Sequence, residues 1–396
     1  MSPALADPKA RTRWSTRVTA WRHSRAYTID ILLLAGISVL RTVRLAVLNL
    51  LRAGGVFELV ANSEWRRQRL LILCYHGTSI EDEHEWRPLL YIHPDKLEQR
   101  LASLKKGNFA VLPLAEALQR LQGGTLPKRS VAITFDDGTY DFYLRAFPLL
   151  RQYGFPATVY QTTYYTSLQL PVFNLICSYM LWKRPHELIP DGAGLGLPGP
   201  LDPRTEDGRT SIVRRLLERT EVDGKTGLQK DAVAAELARL LQIDYEALKR
   251  KRILQLMNPA ELQEIADNGI DLQLHTHRHR TPDDEALFRR EIEDNRQLVQ
   301  KFATSPLVHF CYPSGMYRES FLPWLRKENV VSATTCDTGL VHRQSEPLLL
   351  PRFIDHQRRS QVQFESWTTG VGDLMAFRRK AAPDPVPNSG YAARQE

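Results

Sequence analysis

Val131-Ala-Ile-Thr-Phe-Asp-Asp-Gly138 is an apolar run that ends in two adjacent carboxylates and a glycine. Its length and its β-branched and aromatic content predict a buried strand, and the glycine predicts a sharp turn after it. Two ionisable groups at the end of a buried strand lose hydration unless a cation, a metal or hydrogen-bond donors meet them. Asp-Asp-Gly alone is equally an ordinary turn or helix cap, so the decision rests on a partner. His275-Thr-His-Arg-His279 supplies one, because it also follows an apolar run, Ile270-Asp-Leu-Gln-Leu274, and offers two imidazoles four residues apart. One carboxylate with two imidazoles is a three-ligand set for a catalytic Zn²⁺, and it leaves a position for water or substrate.

Outward from these two segments the chain alternates strand and helix. Leu70-Leu-Ile-Leu-Cys-Tyr75 is predicted as a strand, Pro94 to Lys106 and Leu114 to Leu121 as helices, Tyr140 to Tyr153 as a helix, and Pro156 to Tyr160 as a strand. Asn258-Pro259 is a helix start, Pro282 to Phe302 a long charged helix, and Leu307–Tyr312, Val330–Cys336 and Leu348–Phe353 are further strands. Such alternation predicts a parallel α/β fold. Residues 165–257 interrupt it with a Pro/Gly/Asp-rich loop and charged helical periodicity, which predicts a mainly helical insertion. The expected organisation is a basic, amphipathic segment over 1–69, a catalytic domain over 70–360, and a C-terminal helix with a disordered tail over 361–396.

Residues 1–69 hold twelve Lys/Arg and four Asp/Glu, which accounts for the whole formal charge of +8 and leaves the remainder neutral. That distribution argues against a nucleic-acid-binding protein with a broad basic face. Arg41, Arg44 and Arg52 fall within one arc of a helix whose other positions are Leu and Val. Residues 38–53 therefore fit contact with an anionic membrane surface, or equally packing on the enzyme body. Ile31 to Leu40 alone is too short to span a bilayer, which takes about 20 residues, so a spanning signal anchor ranks third, and no cleavage site for a signal peptide stands out. A cytoplasmic or inner-membrane peripheral location is the corresponding expectation. Cys74, Cys177, Cys311 and Cys336 form no Cys-x-x-Cys pattern, and small buried core residues are the expectation for Cys74, Cys311 and Cys336.

In parallel α/β folds, reactive groups collect beyond the carboxyl ends of the strands. Asp136/Asp137, His275/His279, Ser314/Gly315 and Asp355/His356 all follow strand candidates, so one shared site is expected. With Asp137, His275 and His279 on a metal, a water could be acidified towards a pKa of about 7. Asp136, next to the metal but off it, could take that water's proton, and the Pro313-Ser314-Gly315 turn could present an oxyanion N–H.

These residues resemble the polysaccharide deacetylases of carbohydrate esterase family four, the NodB homology domain, over roughly residues 70–357 without the insertion. Thr134-Phe-Asp-Asp-Gly138 is similar to the family's first motif and His275-Thr-His-Arg-His279 to its second. The resemblance implies a distorted (β/α)₇ barrel, here with a mainly helical insertion and a basic helical N-terminal segment. It implies Asp136 as base, Asp137, His275 and His279 as ligands of Zn²⁺ or another metal such as Co²⁺, and Thr276 as a brace for the loop. It further implies a carbohydrate polymer or oligomer as substrate and hydrolysis of N-acetyl, sometimes O-acetyl, groups.

The sequence departs from the family in two places. In Cys311-Tyr-Pro-Ser-Gly315, Cys311 replaces the arginine that orients the base and Ser314 replaces a tyrosine; Arg352 is the candidate substitute support for Asp136. The Leu-x-His motif of the general acid is not plainly present. His356 is the first positional candidate, with His342 and His76 behind it. The functional expectation is a metal-dependent deacetylase of hexosamines in a bacterial surface polysaccharide or its precursor. The alternatives are a weak or inactive glycan-binding homologue and a metal hydrolase of a non-carbohydrate amide.

Overall fold

The computed structural model describes residues 42–186 and 188–376. Seven strands pair in parallel: β1 (Arg69–Tyr75), β2 (Ser130–Phe135), β3 (Thr158–Gln161), β4 (Asp271–Leu274), β5 (His309–Cys311), β6 (Ser332–Thr338) and β7 (Leu350–Ile354). The pairings run in that order around the sheet, and β1 bonds both β2 and β7, so the sheet closes into a (β/α)₇ barrel. Two short strands flank it, Ala110–Val111 beside β2 and antiparallel Val341–His342 beside the start of β1.

Side chains alternate across each strand, and the two faces meet different neighbours. Leu71, Leu73 and Tyr75 of β1, Val131, Ile133 and Phe135 of β2, and Phe310 and Tyr312 around β5 join the large core shared with the surrounding helices. The other parity faces inward: Leu70, Ile72, Ala132, Tyr160, Cys311 and Leu350 form a smaller cluster closed by Leu114, Ala117 and Leu121 of α2 (Leu114–Gly123). That parity carries Cys74, Thr134, Asp136 and Arg352 into the barrel interior.

The helices form where the sequence places starts and stops. α1 (Pro94–Lys106) has Pro94 in its first turn, buries Leu97, Leu101 and Leu104 on one face and stops at Gly107. Each such leucine contributes about 1.5–3 kcal/mol by leaving water. α3 (Phe147–Tyr153) is preceded by one π-helical turn, Phe142–Ala146, so the predicted helix from Tyr140 is two elements. Between β3 and β4 lie α4 (Phe173–Lys183), α5 (Glu206–Val222) and α6 (Gly227–Leu240), with their own core around Tyr179, Met180, Leu216 and Leu237. α7 (Pro259–Asp267) begins with a reciprocal capping box between Asn258 and Glu261. α8 (Glu285–Val299), α9 (Phe321–Lys327) and α10 (Gln361–Thr369) complete the domain.

Residues 42–53 are helical. No described helix is long and apolar enough to cross a membrane. Residues 1–41 of the predicted basic segment, including residues 38–41, and the predicted tail after residue 376 lie outside the described residues.

Candidate active site

Asp136 follows β2 at an inward position and is almost fully buried. Arg352 of β7 grips it with both arms of the guanidinium, Nη1 donating to Oδ1 at 2.7 Å and Nη2 to Oδ2 at 2.8 Å. Arg352 is itself buried and braced by Nε donating to the Thr335 carbonyl at 2.9 Å. The thiols of Cys311 and Cys74 complete the cage, 3.4 and 3.6 Å from Oδ2. Burial alone would push the Asp136 carboxyl up, but the Arg352 guanidinium overrides it and holds the group well below the usual carboxylate range. Cys74 and Cys311 are buried, as expected, but line a polar pocket rather than a purely apolar core, whereas Cys336 is only partly buried.

Asp137 turns away from that pocket. Its backbone adopts φ +72°, a left-handed conformation that costs a non-glycine residue roughly 1–2 kcal/mol. Thr162 secures it by donating to the Asp137 carbonyl from its N–H at 3.2 Å and from its hydroxyl at 3.0 Å. Gly138 must be glycine, because a Cβ there would lie 1.9 Å from the Gln161 side chain. The result places Asp137 Oδ1 3.3 Å from His275 Nε2 and 3.2 Å from His279 Nε2.

His275 follows β4 and donates from Nδ1 to the Cys311 carbonyl at 2.8 Å. A carbonyl can only accept, so Nδ1 carries the proton and Nε2 keeps its lone pair. Thr276, at φ +61°, accepts from Arg280 N–H at 3.1 Å and closes the loop that brings His279 back beside His275. The loop hangs from α8: Asn295 accepts from His275 N–H at 3.0 Å, and buried Glu291 binds Arg278 and Arg280. His277 points elsewhere, with Nδ1 2.8 Å from the Thr163 hydroxyl. One oxygen and two nitrogens, all within 4.8 Å of one another, form a donor set that fits a divalent metal such as Zn²⁺.

The remaining predicted residues separate. Ser314 is exposed at φ +56°; Gly315 N–H donates to the Tyr312 carbonyl and Met316 N–H to that of Pro313. Ser314 N–H donates to nothing among the described residues. His356 accepts from Arg358 N–H at 3.2 Å; burial, then Arg359, Lys96, Arg358 and Arg100, push it down to about 4. Its neighbour Asp355 is held by Arg100 at 2.9 Å. His342 lies opposite Arg69, at the start of β1 and so at the far end of the barrel. The histidine brought to the carboxylates is His76, just after β1, with Nε2 3.6 Å from Asp136 Oδ2. Placement thus brings His76, the third candidate by sequence, beside Asp136; it shares the inward parity of Cys74, and that spacing was the available signal.

A seven-stranded parallel barrel with a carboxylate–bis-imidazole cluster and a second, arginine-gripped carboxylate at its C-terminal mouth defines the class. A sequence profile described as polysaccharide deacetylase matches residues 123–176 and 242–332, which include Asp136, Asp137, His275 and His279 and omit most of α4, α5 and α6. The Escherichia coli poly-β-1,6-N-acetyl-D-glucosamine N-deacetylase is 29% identical over 101 residues, 25% of this chain and 15% of that protein. The Staphylococcus aureus enzyme of the same name is 37% identical over 67 residues, 17% of this chain and 23% of that protein. The matches thus span less than a quarter of the length of these curated relatives. A Streptococcus pyogenes deacetylase solved with acetate superposes with a TM-score of 0.47 at 19% identity, over 76% of this chain and 98% of that one. Over residues 123–176 and 242–332, which carry both aspartates and both clustered histidines, the chain matches the polysaccharide deacetylase family.

Proposed function

We propose that this protein hydrolyses N-acetyl groups on hexosamines of a bacterial surface polysaccharide or its precursor. Asp137, His275 and His279 hold a divalent metal, Asp136 is the base and His76 the acid. The observation that carries this reading is the division between adjacent aspartates, one 3.2–3.3 Å from two imidazole nitrogens and the other gripped by Arg352. A bound Zn²⁺ or Co²⁺ would polarise the acyl oxygen and acidify a water.

The chain's own groups supply the proton transfers. Asp136 stays ionised at neutral pH because Arg352 stabilises its charge, and it accepts the proton of the attacking water. Ser314 N–H, uncommitted among the described residues, is available to an oxyanion. His76 donates a proton to the amine nitrogen as the C–N bond breaks, releasing acetate and a free amine. The grip of Arg352 supports catalysis over silent glycan binding, because it replaces the arginine missing at Cys311.

The names of the curated relatives favour β-1,6-linked N-acetylglucosamine as the substrate. Contact of residues 38–53 with an anionic membrane surface is part of the proposal; within its described part, Val43, Val47 and Leu50 form an exposed stripe. The activity is tested by acetate release from β-1,6-linked N-acetylglucosamine oligomers after chelation and after return of Zn²⁺ or Co²⁺. Release should follow the metal. Metal-loaded protein inert on these oligomers and on chitin and peptidoglycan fragments would overturn the assignment.

A further inference from the structure

His76 lacks the support that His275 enjoys. Its Nδ1 is buried and has no hydrogen-bond partner among the described residues, and the ring's ion-pair contact is Nε2 3.6 Å from Asp136 Oδ2. With nothing bonded at Nδ1, the main chain on either side sets where the ring sits. Before it, the Tyr75 carbonyl accepts from Asp136 N–H at 2.9 Å. After it, Gly77 lies under the Tyr91 ring so closely that a Cβ would sit 2.1 Å from it, and Thr78 N–H donates to Asp141 Oδ1 at 2.9 Å.

Asp141 is almost fully buried, and Oδ1 accepts a second bond, from the Thr139 hydroxyl at 2.9 Å. Thr139 stands two residues beyond Asp137, and Met257 N–H donates to the intervening Gly138 carbonyl at 3.0 Å. One carboxyl oxygen therefore ties the segment that carries His76 to the loop that carries both aspartates. We propose that Asp141 is a positioning residue for deacetylation, locking the His76 segment to the Asp136–Asp137 loop so that acid and base flank one scissile amide. This rests on the reading of His76 as the acid.

A group that acts through the acid should matter for an amine leaving group and not for a phenolate, which departs without protonation. Asp141→Ala should lower kcat on N-acetylglucosamine oligomers roughly 10- to 100-fold, with KM and bound metal unchanged, while 4-nitrophenyl acetate hydrolysis stays within about threefold of wild type. Asp141→Ser, which fills the space but cannot reach Thr78, should show the same split if the alanine variant folds poorly. Asp141→Asn, which keeps the accepting oxygen, should restore most of the rate. In a His76→Ala background, removing Asp141 should cost nothing further. Equal losses on both substrates, or additive losses in the double variant, would overturn the inference alone. A His76→Ala enzyme as fast as wild type on the oligomer would overturn the reading of His76 and the inference with it.

Discussion

The Asp136–Arg352 pair is the most demanding element of the site, because both groups are buried and each depends on the other. Removing one partner of such a pair usually costs about 3–5 kcal/mol, since the survivor is left charged in a poor solvent. Arg352→Met should therefore lower the unfolding free energy by about that amount in urea titration, and a double Asp136→Asn/Arg352→Met variant should recover much of the loss. If Arg352→Met is as stable as wild type, the two groups are not coupled as their 2.7 and 2.8 Å contacts require. Cys311 has a quieter role beside them. Its thiol lies 3.3 Å from Arg352 Nη2, so a small polarisable group packs directly against the guanidinium.

Among the elements, the turn after β2 and the segment after β1 are linked through Asp141, and this has a pH signature. Burial, reinforced by nearby Glu83, pushes the Asp141 carboxyl up to about 8 against the bonds from Thr78 and Thr139. An unfolded aspartate titrates near 3.9, so the folded state holds the extra proton between about 4 and 8. This contribution is fully present below the unfolded pKa and is lost as pH rises through the folded value. The stability advantage of wild type over Asp141→Asn should thus shrink between pH 5 and pH 8 by more than about 1 kcal/mol. A difference that stays constant with pH would show that Asp141 is ionised throughout. Asp141 was not legible in the sequence: an aspartate four residues past Asp137 looks like any helix-start acid until Thr78 is brought against it. The barrel strands were legible because each is a short apolar run that stops at a polar group. Glu291 and Asn295 of α8 could have been found as polar residues within the apolar stripe of Phe288, Ile292 and Val299. The pairing of Gly77–Thr78 with Tyr91–Ile92 carried no such mark, since two-residue strands have no period. Arg352 was foreseen as a substitute support, but only barrel closure puts β7 beside β1 and its side chain on Asp136.

For the whole molecule, the metal should couple the histidine loop, the aspartate turn and the barrel into one stability unit. Metal that binds only the folded state raises the unfolding free energy by about 2.7 kcal/mol at a hundredfold excess over Kd. Zn²⁺ should therefore raise the melting temperature of wild type and leave His275→Ala unmoved; equal shifts in both would place the ion elsewhere. Vesicles address the other end of the chain. Full-length protein should co-sediment with phosphatidylglycerol-containing vesicles and not with neutral ones, and replacing Val43, Val47 and Leu50 by Ser should release it. Equal sedimentation of that variant would exclude the exposed stripe as the contact. The central claim is that adjacent aspartates divide the labour, Asp137 holding metal and Asp136 moving a proton. The direct test is Asp136→Asn, with metal per chain and acetate release from N-acetylglucosamine oligomers measured on one preparation. The account predicts full metal content with acetate release reduced by about 10² to 10⁴; an active variant, or one that has lost its metal, would contradict it.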